Sequence, residues 1–207
     1  MRSLATRLAL MALLTFGLAA CHPSSGAVTA DDMSLGNPNA KVTVVEYASA
    51  GCPVCARWNG DVWPAFKTKY IDTGRIHYVF REMLVGGPDE QTLGASGFLL
   101  ARCAGKDKYF PVVDAVFHAQ PDIYEQHQSP RDVLLKIAQS VGMNESQFDA
   151  CLNDNNALLA LNQRSNDHAT QGHIEATPTF VINGKALEPG YHPLTDLDAA
   201  ISSAQAQ

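Results

Sequence analysis

The chain has 207 residues, 46% of them hydrophobic and 17% charged, with 15 Gly and 11 Pro. That is the composition of one globular domain with a real core, and it excludes disordered, collagen-like and multi-pass membrane chains. The formal net charge is −6 and no long basic run occurs, so neither nucleic acid nor an anionic membrane surface is an expected partner.

Residues 1–20 read as a targeting segment. Arg2 and Arg7 supply a positive start, and Leu8 to Leu18 an apolar stretch of about eleven residues, short of the roughly 20 that span a bilayer. The segment ends Leu18-Ala19-Ala20-Cys21. Small residues before a Cys resemble a bacterial lipobox. The resemblance implies a signal peptide over 1–20 and an acylated Cys21 as the new N-terminus; an ordinary cleaved signal with an incidental Cys is the alternative. His22 stands where inner-membrane lipoproteins carry Asp, which implies the outer membrane. Either way the destination is oxidising and extracytoplasmic, where disulfides persist. Residues 21–34, with Pro23-Ser24-Ser25-Gly26 and no apolar period, read as a lipid-anchored flexible tether. The folded domain is expected over 35–207.

Val42 to Tyr47 is β-branched and apolar and predicts a buried strand. Cys52-Pro53-Val54-Cys55 follows after Gly51. Cys55, Trp58, Val62 and Phe66 recur at intervals of three and four, one helical face, with Pro53 suited to the first turn and Pro64 expected to kink the helix. The aromatic residues Trp58, Trp63 and Phe66 read as core. A second strand is expected over Arg75 to Phe80. From about 88 to 172 the pattern is almost wholly helical. It includes starts at Ser129-Pro130 and at Asn144 with Gln147, and a helix from about Leu158 that stops at Gly172. Thr179 to Ile182 returns to strand, Asn183-Gly184 signals a hairpin, and a last short helix begins near Thr195. The histidines show no ligand spacing, and His118, His127, His168 and His173 read as surface or helix-end residues.

The chemistry is expected at Cys52 and Cys55. Three residues apart at a helix start, their sulfurs face one side and can form a short disulfide. Cys52 lies among unpaired N–H groups at the helix N-terminus, which favour a thiolate. Cys55, one turn deeper, is the expected resolving thiol. Half of a zinc site is the rival reading, but no second CxxC, CxxH or HxxxH occurs. No metal or organic cofactor is expected.

Thr177-Pro178 leads into a buried strand, an unusual place for Pro. Together with the CxxC, Thr177-Pro178-Thr179-Phe180 resembles the thioredoxin fold, and the long helical block resembles the insertion of DsbA-like thiol:disulfide oxidoreductases. The resemblance implies an α/β thioredoxin fold with an inserted helical domain. It implies a cis Pro178 packed against the redox pair, and a Thr177 that offers backbone groups to an extended substrate. Glu46 falls where such enzymes often bury an acid beneath the disulfide, ready to take the Cys55 proton; a surface acid at the sheet edge is the alternative. DsbA-like oxidants often carry His between the cysteines, whereas Pro53 and Val54 stand here. A Thr before the Pro resembles isomerases and reductases. The implied activity is thiol:disulfide exchange with exported cysteine-containing proteins in the periplasm, in the oxidative direction, reset by a membrane redox partner. The alternatives are a reductase or isomerase and, in a different class, a protein capturing a soft metal ion at the CxxC.

Cys103 and Cys151 remain. Both lie on partly apolar helical segments, so in an oxidising compartment they are expected to pair as a structural disulfide. Two inert core thiols are the alternative.

Overall fold

The computed structural model describes residues 28–207; the expected signal segment, Cys21 and residues 22–27 of the expected tether lie outside the described residues. Among the described residues five strands form one sheet: β1 (Met33–Gly36), β2 (Thr43–Ala48), β3 (His77–Glu82), β4 (Thr179–Ile182) and β5 (Lys185–Ala186), in the order β1-β3-β2-β4-β5. β2 runs parallel to β3 and antiparallel to β4, and β1 and β5 pair antiparallel at the edges.

The domain starts earlier than expected. Met33 and Ser34, assigned to the tether, are the first residues of β1, with Met33 opposite Phe80. Four residues are too few to show a strand period. Long-range contacts hold them instead. Met33 is buried, and the Asp32 carboxylate accepts from Nε and Nη2 of Arg81, each at 3.2 Å. β3 is displaced two residues from its expected place. At its start, Arg75 N–H still bonds the Tyr70 carbonyl, within a π-helical turn (Lys67–Ile71) and the bend after it. At its end, Arg81 and Glu82 look like strand terminators but are buried and paired. Glu82 is 1% exposed.

Helix α1 (Pro53–Asp61) breaks rather than kinks. It ends before Val62, and a short α2 (Trp63–Phe66) follows; Pro64 has no N–H to continue the ladder. Cys55, Trp58, Val62 and Phe66 nevertheless stay on one buried side. Trp58 packs on Phe180 with ring centroids 4.8 Å apart.

Between β3 and β4 lie five helices: α3 (Pro88–Ala104), α4 (Lys106–Tyr124), α5 (Pro130–Ser140), α6 (Glu145–Leu152) and α7 (Asn155–Gly172). Local capping sets several boundaries. Ser129 accepts from Asp132 N–H, and Asn144 and Gln147 form a reciprocal capping box at 2.9 Å. α7 begins three residues before the expected Leu158, because the Asp154 carboxylate caps the N–H groups of Asn156 and Ala157. The left-handed residue that ends α7 is His173, at φ 52°. A last helix, α8 (Leu194–Gln205), follows the hairpin.

The sheet has two covered faces. Val44, Ala48, Tyr78 and Phe80 belong to the main core with α1, α3, α4 and α8. Val45, Tyr47, Val79 and Val181 form a second cluster with Ile174 and Ala169 of the α7 end. There His168 is not at the surface. It lies edge-on to Tyr47 and hydrogen-bonds the Glu82 carbonyl at 3.1 Å. The insertion is tied to the sheet by the Glu82 carboxylate, which accepts from Arg102 of α3 (2.7 and 2.9 Å), Arg164 of α7 (3.1 Å) and Tyr109 of α4 (3.0 Å).

Cys103, in the last turn of α3, is bridged to Cys151 of α6, with Cα atoms 6.1 Å apart and a sequence separation of 48. Closing a loop of that size restricts the unfolded chain by about 4 kcal/mol at most. Cys103→Ala/Cys151→Ala is therefore expected to lower Tm by about 5–10 °C in a thermal melt, with exchange activity largely kept. An unchanged Tm would show that the bridge contributes nothing.

Candidate active site

β2 ends at Ala48, and three residues lead to Cys52, which is both the end of the loop and the cap of α1. Its Sγ accepts the N–H of Cys55 at 3.3 Å, as a Ser or Asp oxygen does at other helix starts. Pro53 occupies the first turn, where its missing N–H costs nothing. The loop is pressed from the insertion side. A Cβ on Gly51 would lie 2.0 Å from the Glu90 carbonyl oxygen, so only glycine lets α3 approach so closely. Gln120 Nε2 donates to the carbonyls of Ala50 (2.9 Å) and Cys52 (3.3 Å), and the Tyr124 hydroxyl donates to that of Gly51 (3.0 Å).

Cys52 is 8% exposed and Cys55 fully buried, both as free thiols. Val54 beside them is exposed. The Thr177–Pro178 peptide is cis, and the Thr177 carbonyl lies 3.6 Å from Cys52 Sγ. A neighbouring thiol and several donors favour negative charge on Cys52. The Cys55 thiol has the largest effect, and Thr177 and the N–H groups of Cys55 and Val54 add to it. Against the opposing effect of burial, they draw Cys52 down to about 6 from its ordinary 9.0. Cys55 moves the other way, pushed well up by burial and by the negative Cys52 sulfur.

Of the two readings of Glu46, the structure places the side chain inside. It is 2% exposed, on the sheet face shared with Val44 and Ala48 that α1 covers. Burial raises it from 4.5 to about 8; the Tyr78 hydroxyl, donating at 2.5 Å, opposes the shift, and the charge of Cys52 adds to it. A cavity of about 20 Å³ separates Glu46, Asn59 and Tyr78 from half-buried Asp114, room for about one water. Asn59 Oδ1, buried at its wall, has no hydrogen-bond partner among the described residues.

The structure thus brings Cys52, Pro53, Val54, Cys55, Thr177 and Pro178 together, with Glu46 below. Cys103 and Cys151 are joined to each other within the insertion. Sequence reading missed Tyr78, Asn59, Gln120 and Tyr124. Tyr78 lay within reach, since it is on the predicted second strand, but its partner depends on the parallel register of β2 and β3. No local signal points to the α4 residues. Among the described residues no group of three or more His, Cys, Asp and Glu side chains is placed to hold a metal ion. No helix there is long and apolar enough to cross a membrane.

Comparison with known proteins agrees with this arrangement. The family described as Thioredoxin matches residues 28–202. A Rickettsia bellii protein with the provisional name protein-disulfide oxidoreductase is 34% identical over 174 residues, 84% of this chain. The chain spans 64% of that relative's length. Disulfide bond formation protein D of Bacillus subtilis is 26% identical over 161 residues, 74% of this chain and 68% of that protein. The crystal structure of alpha-DsbA1 from Wolbachia pipientis superposes with a TM-score of 0.75 at 26% identity, covering 86% of this chain and 95% of that one. With a redox-type CxxC capping α1, a cis-proline beside it and five helices inserted between β3 and β4, the chain belongs to the thioredoxin family and has the DsbA-like form of its fold.

Proposed function

We propose that the protein is a thiol:disulfide oxidoreductase that oxidises cysteine pairs in exported proteins. The observation that carries this reading is the asymmetry of the pair: an acidic Cys52 at the rim and a buried Cys55 pushed the other way. When the pair is a disulfide, a substrate thiolate attacks Cys52 Sγ, the Cys52–Cys55 bond breaks, and Cys55 leaves with the electron pair. At neutral pH Glu46 still holds a proton and hands it to the buried Cys55 sulfur; the small cavity leads from Glu46 toward Asp114 for its replacement. The substrate's second thiolate then attacks the substrate sulfur of the mixed disulfide and expels Cys52. Two electrons have passed from the substrate to the pair: Cys52 is released as a thiolate, Cys55 carries the proton of Glu46, and of the two protons the substrate thiols gave to solvent one replaces that of Glu46.

Cys52 is a good leaving group because its thiolate is stabilised, and the same stabilisation favours the reduced protein, hence substrate oxidation. Cys52 lies well below its ordinary 9.0, the direction in which a reactive thiol at a helix N-terminus is shifted. Pro53 and Val54 contribute no imidazole to that stabilisation, which comes from Cys55, Thr177 and backbone N–H groups. The Thr177 carbonyl, next to the sulfur, is positioned to pair with an extended substrate backbone. A membrane redox partner that accepts two electrons resets the pair, and the Cys55 proton returns to Glu46 or solvent. The targeting sequence supports a periplasmic site of action, with residues 1–20 removed, Cys21 acylated and the domain held to the outer membrane by its tether.

In cells, acid trapping should find the Cys52–Cys55 pair mostly oxidised; a mostly reduced pair would assign the protein to reduction or isomerisation. Purified protein should catalyse oxidative refolding, Cys52→Ala should abolish this, and Cys55→Ala should accumulate mixed disulfides. A soft-metal carrier would form no such adducts and would lose its metal in both variants.

Alkylation of the reduced protein by iodoacetamide should follow Cys52 ionisation, with a rate rising through a midpoint near pH 6. A midpoint near 9 would remove the acidic thiol from the mechanism.

For Glu46, a folded-state value raised from 4.5 to about 8 means that its contribution to stability is complete below about pH 4.5 and is lost as pH rises through 8. Glu46→Gln keeps an acceptor for Tyr78 and does not titrate. In urea unfolding the variant should match the wild type near pH 4 and gain over it up to pH 8. The gain should level off at a few kcal/mol, from about 1.4 kcal/mol per pH unit. Its release of Cys55 should be slower at pH 7. Equal stability at pH 4 and 9 would place the Glu46 charge in water.

A further inference from the structure

A groove of about 710 Å³ opens between α1, the first turn of α3 and the second half of α4, within the usual range of ligand sites. It begins at Pro53, next to Cys52, and Thr177 is not part of its lining. Gln120 and Tyr124, which hold the loop before Cys52, form part of its wall. Ala56, Phe117 and Pro121 give it an apolar surface, and Asp89, Glu90 and Glu125 an acidic rim.

Among the described residues none of these three carboxylates has an ion-pair partner. Arg57 and His118 also line the groove, each with a contact of its own. The Arg57 guanidinium lies 4.2 Å above the Tyr191 ring, and His118 Nδ1 is 2.9 Å from the Asp114 carbonyl. The negative field reaches the wall: Tyr124 is raised to about 12, by burial first and then by the charges of Glu90 and Asp89. Gln120, 3% exposed, also keeps its Oε1 without a hydrogen-bond partner.

We propose that this groove receives the stretch of substrate chain flanking the reactive cysteine, and that it selects stretches bearing an apolar residue together with Lys or Arg. The inference rests on the disulfide-exchange reading above. A chain held along Thr177 continues past Cys52 onto the insertion side, where an apolar side chain meets Phe117 and Pro121 and a cation meets the rim. An excess of one sign of charge around a cleft raises the encounter rate with the opposite sign, and salt weakens this. The insertion thereby supplies substrate choice, while the thioredoxin-like part supplies the chemistry.

The test uses three peptides with the same two cysteines and one Leu, differing only in a neighbouring pair of Lys, Gln or Glu. Each reduced peptide is mixed with the oxidised protein. The second-order rate is divided by that of the same peptide with hydroxyethyl disulfide, which removes the effect of flanking charge on thiol acidity. The normalised Lys-to-Gln ratio should be about three to ten at low salt and fall toward one at about 0.5 M salt. It should also fall toward one in Asp89→Asn/Glu125→Gln, and Asp89→Lys/Glu125→Lys should turn the preference toward Glu. A ratio that is the same in all three proteins overturns the groove while the exchange activity stands. If no peptide reduces the wild-type disulfide, the exchange reading falls and this inference with it. A wild-type dimer that either double variant dissociates would give the groove to a second copy of the chain and also overturn the proposal.

Discussion

The sulfur of Cys52 is the cap of α1, and most of the site follows from that one contact. Accepting the Cys55 N–H at 3.3 Å fixes the sulfur at the helix N-terminus and fixes Cys55 one turn below it. The same geometry that starts the helix stabilises negative charge on the first cysteine and leaves the second in the core. The acidity of Cys52 and the inertness of Cys55 are two sides of one arrangement.

The loop that delivers Cys52 has little structure of its own and borrows it from the insertion. Gln120 and Tyr124 take up the carbonyls of Ala50 and Gly51, which no strand or helix satisfies, and Gln120 shares that of Cys52 with the N–H of Ala56 in α1. Gly51 lets the first turn of α3 close on the backbone. The helical block is therefore part of the apparatus that holds the sulfur, besides forming one wall beside it.

Features written within a few residues could be read from the sequence. The CxxC before an apolar helical face, the capping box at Asn144 and the Asn183-Gly184 turn each contain their own physical reason. Features that depend on distant partners could not. β1 exists because Met33 finds Phe80 and Asp32 finds Arg81. β3 runs two residues further because Arg81 and Glu82 are neutralised by residues from other elements. Glu46 had two readings in the sequence because a carboxylate in an apolar strand fits either sheet face or an edge. Register with β3, which brings Tyr78 to it, decides between them. The groove belongs to the same class, since its walls come from three elements and no local pattern announces them.

The four contacts on Glu82 bear on how this architecture can be taken apart. One carboxylate of the sheet is shared by an arginine of α3, an arginine of α7 and a tyrosine of α4. Cut free, the helical block would keep two cations that the carboxylate had answered, and the sheet would be left with a bare buried anion, an expensive outcome on both sides. The insertion and its host therefore do not behave as interchangeable modules. Grafting these helices onto another thioredoxin-like sheet would require carrying the Glu82 position along with them.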